Sequence, residues 1–363
     1  MAIQGKFFVF EKPHQLLQTV SSKIPSLEDG EILVQINYAT LCGSDLHTFC
    51  GIRQEPCPTI LGHEIVGTII ELNANSLLND ATGKQLNIGD TITWTVFASD
   101  PHTAVYNPDT PQKNDYLYKY GHRQITEQDT FHGGLASHII LRRHTYIRIL
   151  PKELPAPIAA TINCAIATAA GAIRLAGTIM GKKVLISGMG LLGLVCTAMC
   201  KESGASQIVV TDIDDTRLAL AKRFGASEIL NSRVTKLCEL DSLKTANGLD
   251  RFIDMSGSPD AMEDGIEQLG VNGVAVFIGA VFKQRKLEID AEQMIRRILT
   301  IKGLHNYNYQ DFSTAVDFII ANWKKYPFSD LVEKEFSLEQ VNEAFDYAVV
   351  NKPIRVGINM DLR

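Results

Sequence analysis

The sequence predicts an α/β protein in which a doubly wound parallel sheet is inserted into a β-rich domain. Three observations carry that reading. Runs rich in β-branched residues, bounded by Gly, Pro, Asn and Asp, fill residues 31–148; strand and helix periods alternate from about 183 to 280; and the glycine-rich turn GMGLLG stands where the first of those strands passes into a helix. At 363 residues the chain is long enough for two domains, each with its own core.

EILVQINYA, EIVGTIIEL, DTITWTV and ASHIILRRHTYIRI read as short strands. Beyond LPKELPAPIAATINCAIATAAGAIRLAG the texture changes: KKVLISG is a strand, a helix follows to about Ser203, and QIVVTD and DTRLALAKRFGA repeat the pair. LDRFIDMSG, PDAMEDGIEQL and GVAVFIGA continue the alternation, which is the pattern of a parallel sheet covered on both faces. QDFSTAVDFIIANW and LEQVNEAFDYAVV return to helix, and IRVGINM closes as a strand. These textures assign 1–160 and 307–363 to one domain and 161–306 to the inserted one.

A net charge of -6, with no cluster of Lys and Arg set against it, excludes a nucleic-acid surface and points to small-molecule partners. Seven irregularly spaced cysteines make no disulfide framework and read as reduced thiols. The opening MAIQGKFFVFEKPHQ has no apolar export core, so a cytoplasmic location is expected. Segments 154–173 and 184–200 are apolar enough to test as membrane spans. The first contains Pro155 and Pro157 and the second the glycine-rich turn, so both read as buried core and no membrane partner is expected.

Gly188, Gly190 and Gly193 follow an apolar strand and open a helix. Glycines so placed allow a tight turn, close backbone approach to a pyrophosphate and close helix packing, with the helix N-terminus facing the anion. Asp212 ends the next strand, 19 residues past Gly193, near the spacing at which an acid meets an adenosine ribose and repels a 2'-phosphate. NAD is therefore expected over NADP; the other reading of Asp212 is a solvated loop acid, one of three in DIDD.

LCGSDLHTFCGIRQEPCPTILGHE, residues 41–64, packs three cysteines, two histidines and three acids together. Cys42 and His63 lie 21 residues apart, which fits no zinc finger, yet thiolate and imidazole are ligands zinc prefers. A catalytic site needs one more, and Cys164 stands 24 residues before Gly188. Taken singly, Cys164 reads as a small buried residue, His63 as a core histidine and Asp45 as a helix cap.

CGSDLH and GHE resemble the catalytic-zinc motifs of the zinc-dependent medium-chain alcohol dehydrogenases, and GMGLLG resembles their coenzyme fingerprint, in matching order over essentially the full length. PQKNDYLYKYGH and IKGLHNY are most similar to the branch associated with phosphonate catabolism. The resemblance implies a Rossmann NAD-binding domain inserted in a GroES-like catalytic domain, and oxidation of an alcohol by hydride transfer to NAD. It assigns Cys42, His63 and Cys164 to a catalytic zinc, Glu64 to a place behind the metal as an alternating or indirect ligand, and Asp45 to orienting the histidine. It also implies that Ser44 takes the substrate proton and passes it through the nicotinamide ribose to His47. Cys50 and Cys57 match no ligand. Arg217 matches a residue beside the adenosine ribose and Arg355 one near the pyrophosphate, a solvated surface charge being the alternative for each. Ile278, Gly279 and Ala280 resemble the backbone that contacts the nicotinamide amide.

The sequence departs from the family in one lobe. Where many members carry four structural-zinc cysteines, this chain has Asp100, Thr103, Tyr106 and Asn114 at the same intervals, so one zinc per chain and no structural zinc are expected. Arg53, His122 and His305 are candidates to offer positive charge to a phosphonate or phosphate. The alternative substrate is a neutral polyol or cyclitol, and the alternative to an enzyme is a dinucleotide-binding sensor without turnover. The superfamily forms dimers or tetramers, with GVAVFIGAVF expected as an exposed pairing edge.

Overall fold

The computed structural model describes residues 3–73, 79–240 and 248–362. The chain forms two compact units, one of Met1–Ala165, Asn308–Trp323 and Phe328–Arg363, the other of Ile166–Tyr307 and Lys324–Pro327.

In the first unit the main sheet runs in the order Val332–Phe336, Arg355–Asn359, Ile32–Thr40, Glu64–Leu72, Thr91–Ser99, Leu117–Lys119. His138–Leu141 pairs with Ile32–Thr40, and Thr145–Ile149 with Thr91–Ser99. The strands are nearly continuous apolar runs because the sheet curls around a core that includes Trp94, Tyr120, Phe131 and Phe345. Its register has a direct consequence for the site. Thr40 is paired with Glu64 on one side and Gly357 on the other, so the chain leaving one strand toward Cys42 passes beside the chain arriving from His63.

The second unit is a parallel six-stranded sheet in the order Glu228–Asn231, Gln207–Asp212, Lys183–Ser187, Leu249–Asp254, Leu269–Phe277, Thr300–Gly303. The strand order reverses beside Lys183–Ser187, and at such a switch point a crevice opens at the C-terminal ends of the strands. Helices start where the local chemistry lets them: Asp214 accepts from the amides of Thr216 and Arg217 to cap Asp215–Arg223, and Ser258 caps Pro259–Glu267. The GVAVFIGAVF segment does not form the edge that its sequence suggests. Leu269–Phe277 has a partner on each side, and Thr300–Gly303 is the edge strand. A partly polar strand of four residues carries little hydrophobic signal in sequence.

A helical run over Ala156–Ala176 is the one helix among the described residues long and apolar enough to cross a membrane, yet 78% of its most apolar window is buried within the protein. It is not uniform. Ile162–Ile166 widens into a π-helical turn, a local distortion that often re-aims a functional side chain, and that turn carries Cys164.

His132 is fully buried beside Phe131, its carbonyl accepting from the Gly121 amide, while its ring nitrogens reach no partner beyond its own backbone among the described residues. Burial therefore holds it neutral, with its pKa pushed down from 6.5 to about 4. The folded pKa is the lower one, so this contribution is complete above the unfolded value and is lost as pH falls from about 6.5 through 4, a change worth about 3 kcal/mol. His132→Phe is expected to flatten the acid limb of melting temperature against pH in that window. An unchanged limb would mean that other groups set the acid sensitivity.

Candidate active site

One side chain ties the site together. Asp45, buried in the helix Gly43–Phe49, accepts from the Cys42 amide at 2.9 Å and the Gly62 amide at 3.1 Å, and its Oδ1 lies 3.3 Å from Nδ1 of His63. It thus clamps the two loops that the sheet register brings side by side. With Nδ1 turned to Asp45, Nε2 of His63 faces Ser44, whose Oγ is 3.4 Å away. The π-helical turn adds Cys164 to this group. Ligand atoms of Cys42, His63 and Cys164 all lie within 4.8 Å of one another, the only such cluster among the described residues. Cys50 and Cys57 are not part of that group, and none of the seven cysteines is in a disulfide.

The three groups share charge and protons closely. A hydrogen bond from Cys164, together with the charges of Arg355 and His63, outweighs burial and holds Cys42 as a thiolate, while the same bond and burial keep the proton on Cys164. Burial disfavours protonation of His63, but Asp45 and the Cys42 thiolate push it up to about 10. One thiolate, with a thiol and a histidine that would give up their protons to a metal, gathered out of water, is a donor set that fits zinc and would leave one place for a ligand from outside.

Glu64 is not in that group. Arg355 grips its carboxylate with two bonds, 2.7 and 2.9 Å, and the Thr40 hydroxyl donates to it at 2.5 Å. The second guanidinium nitrogen also lies 3.8 Å from Cys42 Sγ. Burial and the Cys42 thiolate push Glu64 up, whereas Arg355 is raised by Glu64 and Cys42 against burial; with three bonds satisfying the carboxylate, the pair stands as ionised. Arg355 is thus a buried partner of Glu64 and no solvated surface charge, because the strand Arg355–Asn359 pairs into the sheet beside Thr40.

The loop after the Gly43–Phe49 helix forms a second charged group. Arg53 Nη2 is 2.7 Å from Oε1 of Glu55, and Nδ1 of His122 bonds the same oxygen at 2.8 Å. The ring of His122 packs 5.0 Å, centroid to centroid, from that of His63. His122 supplies a hydrogen bond here and not the positive charge expected of it, since burial and the nearby Lys119, His63 and Arg53 push its pKa well down. His305 belongs to the other unit and is exposed. Sequence reading missed Glu55 and Lys119. Both were visible as charges in EP and YKY contexts, but nothing local marks a charge as buried.

In the parallel-sheet unit, Gly188 has φ +87°, and a Cβ there would sit 2.6 Å from the Ser256 amide nitrogen; at Gly193 it would sit 1.9 Å from the Gly188 carbonyl oxygen. The first enforces the turn and the third lets the helix Leu191–Glu202 pack onto it. A Cβ at Gly190 would meet nothing within 4 Å, so this glycine borders open space at the helix N-terminus, where a pyrophosphate fits. Asp212 reaches into the same turn, accepting from the Met189 amide at 2.5 Å and from Ile213 and Asp214 at 2.7 and 3.0 Å. Arg217 lies in the first turn of the helix that follows. Gly279 packs against Gly257 at the ends of the two strands beyond the switch point, Ile278 donates to the Asp254 carbonyl and Ala280 is exposed.

The lobe without cysteines closes on side-chain amides. Asn114 donates to Ser99 Oγ at 2.7 Å and accepts from the Asn107 amide at 3.1 Å, Thr103 bonds the Asp100 carbonyl, and the Asp100 carboxylate receives the His102 amide. Tyr106 lines a cavity of about 220 Å³ with Tyr146 and Tyr309, whose rings stack 4.7 Å apart.

Removing one partner of a buried ion pair strands the other, which generally costs about 3–5 kcal/mol. Arg355→Met is therefore expected to destabilise the protein by that order in denaturant titration. A Glu64→Gln change added to it should recover part of the loss; no recovery would show that Arg355 stabilises by packing alone.

Two family models match the chain: an alcohol dehydrogenase GroES-like domain over residues 28–152 and a zinc-binding dehydrogenase over residues 192–321. D-arabitol-phosphate dehydrogenase of Enterococcus avium is 25% identical over 93% of this chain and 92% of its own length. L-threonine 3-dehydrogenase of Pyrococcus horikoshii is 27% identical over 95% of each. The crystal structure of an alcohol dehydrogenase from Thermotoga maritima superposes with a TM-score of 0.91 at 27% identity, covering 98% of this chain and 99% of that one. With a GroES-like unit, a Rossmann parallel sheet and a cysteine–histidine metal cluster in one chain, the protein belongs to the zinc-dependent medium-chain alcohol dehydrogenase superfamily, oxidoreductases that act on alcohol CH–OH groups with zinc and a nicotinamide cofactor.

Proposed function

We propose that the chain oxidises an alcohol bearing a phosphonate or phosphate group, or reduces the matching carbonyl, with NAD as hydride acceptor and one zinc per chain. The unit that runs to Ala165, and so includes Cys164 where the sequence textures end that domain at 160, holds metal and substrate, and the parallel-sheet unit from Ile166 holds the dinucleotide. The observation that carries the reading is the convergence of Cys42, His63 and Cys164, with Ser44 set 3.4 Å from His63. A zinc ion held by those three supplies Lewis acidity toward the substrate oxygen, and a nicotinamide dinucleotide supplies the hydride acceptor.

The chain's own residues do the rest. Asp45 keeps His63 in one tautomer. The Ser44 hydroxyl receives the substrate proton, and His47, one helical turn on, takes it toward solvent. Arg355 and Glu64 hold Cys42 and the wall behind it. Gly188, Gly190 and Gly193 cradle the pyrophosphate, with Asp212 and Arg217 at the adenosine ribose and Gly279 and Ala280 at the nicotinamide. Arg53 supports an anionic substrate, as does the relative that acts, by its name, on a phosphorylated polyol. A neutral polyol or cyclitol is the second reading, favoured by Glu55, which already answers the charge of Arg53. Assembly as a homodimer or homotetramer follows the superfamily.

Zinc per chain, measured beside a screen of reduced-nicotinamide formation from neutral alcohols, polyols, cyclitols, hydroxyalkylphosphonates and polyol phosphates, tests the reading. About one zinc per chain, NAD-linked turnover and loss of both in Cys164→Ala are expected. Zinc without turnover on any class would favour a dinucleotide sensor. Arg53→Ala should lower the kcat/KM ratio of anionic to neutral alcohols about tenfold, the size of one charge-assisted hydrogen bond; an unchanged ratio sinks the anionic substrate.

A pH profile tests the proton route. Burial pushes His47 below 6.5, opposed by the Cys42 charge and aided by Arg53. The neutral imidazole is the acceptor, so oxidation is full above that pKa and falls as pH drops through it. kcat/KM should keep its value down to below about 6.5, and His47→Gln should remove that acid limb. A limb that persists in the variant would place proton exit elsewhere.

A further inference from the structure

We propose that Lys119 and Arg53 together form a subsite for a tetrahedral oxyanion on the substrate, a phosphate ester or a phosphonate. The inference rests on the dehydrogenase reading above and names a residue that reading does not use. Lys119 ends the strand Leu117–Lys119 and is paired with Phe97. The chain then folds directly onto the metal loop: a Cβ at Gly121 would lie 2.5 Å from the Gly62 carbonyl oxygen and 3.2 Å from Cβ of His63. His122, the next residue, packs its ring against His63. Lys119 is therefore held two residues from the wall of the metal site.

The charges that act most strongly on Lys119 are those of Arg53, Glu55, Cys164 and Lys113. No carboxylate among the described residues comes within ion-pair distance of it, and the one carboxylate oxygen nearby that makes bonds, Oε1 of Glu55, is spent on Arg53 and His122. Two cations thus share a single acid in a half-buried corner, and burial together with Arg53 pulls the Lys119 ammonium down to about 8. A lysine on an open surface would turn its ammonium to water. An ammonium partly withdrawn from water with only a shared counter-charge is costly, and an anion brought by the substrate lowers that cost. The two donors come from different segments, a loop and a strand end, and Arg53 already has one face engaged by Glu55. Oxygens pointing in several directions satisfy such a pair better than a planar carboxylate, which suits one guanidinium fork.

The test uses zinc-loaded, NAD-saturated enzyme, so that inorganic phosphate cannot occupy the dinucleotide turn. Phosphate, methylphosphonate and acetate are titrated calorimetrically, and the kcat/KM ratio of anionic to neutral alcohols is measured in parallel. Phosphate and methylphosphonate should bind with acetate weaker. Lys119→Met should weaken both and lower the kcat/KM ratio by about tenfold, with Lys119→Arg recovering most of each. Preference for methylphosphonate over phosphate, or the reverse, identifies which ester the substrate carries. Phosphate binding that is absent in the wild type, unaltered in Lys119→Met, or matched by acetate overturns the subsite. Because the titration needs no turnover, Lys119-dependent phosphate binding in a protein that oxidises no alcohol would sink the dehydrogenase reading and leave the subsite standing.

Discussion

The site depends on one buried carboxylate. Asp45 receives an amide from each of the two loops that carry Cys42 and His63, and it holds the histidine ring as well. Segments separated by a helix and the loop that follows it would otherwise drift independently, and a shift of an ångström is enough to spoil a metal donor set. Because both amides are buried, the bonds have no competition from water. The sheet register brings the loops near each other, and Asp45 converts nearness into a defined position.

Around that point the protein sorts charge into two layers. Next to the sulfurs stands an arginine whose own charge is met by Glu64, so the thiolate of Cys42 is stabilised without a net positive charge beside a metal cation. On the other side of His63, Glu55 gathers Arg53 and His122, leaving Lys119 as the surplus cation. Under the proposed function the first layer would serve the metal and the second whatever approaches it, and the ring contact of His122 with His63 joins the two.

Much of this was readable in the sequence, and the reasons it stopped where it did are physical. Alternation of strand and helix, the glycine-rich turn and the cysteine–histidine motif are local patterns, and the fold follows them. The structure brings Cys164 to Cys42 and His63 across more than a hundred residues of chain, which spacing alone does not reveal. Arg355 sits 291 positions from Glu64, and in sequence it looks like any charged residue near a C-terminus. Nothing in YKYGHR marks Lys119 and His122 as withdrawn from solvent, since burial is a property of the packed chain. GVAVFIGAVF misled for a related reason: its strong β pattern does not say whether a further strand, here the weakly patterned Thr300–Gly303, lies beyond it.

The lobe that closes on Asn114 changes what the polypeptide must wait for while it is being made. A lobe built around four thiolates stays loose until an ion reaches it, and its exposed thiols are open to oxidation or to the wrong metal. Amide, carboxylate and hydroxyl groups, those of Asn114, Asp100 and Thr103, need no such supply and finish the lobe from within the chain. Closure of this lobe therefore asks nothing of the metal supply, and the cluster of Cys42, His63 and Cys164 is left as the place where an ion would matter.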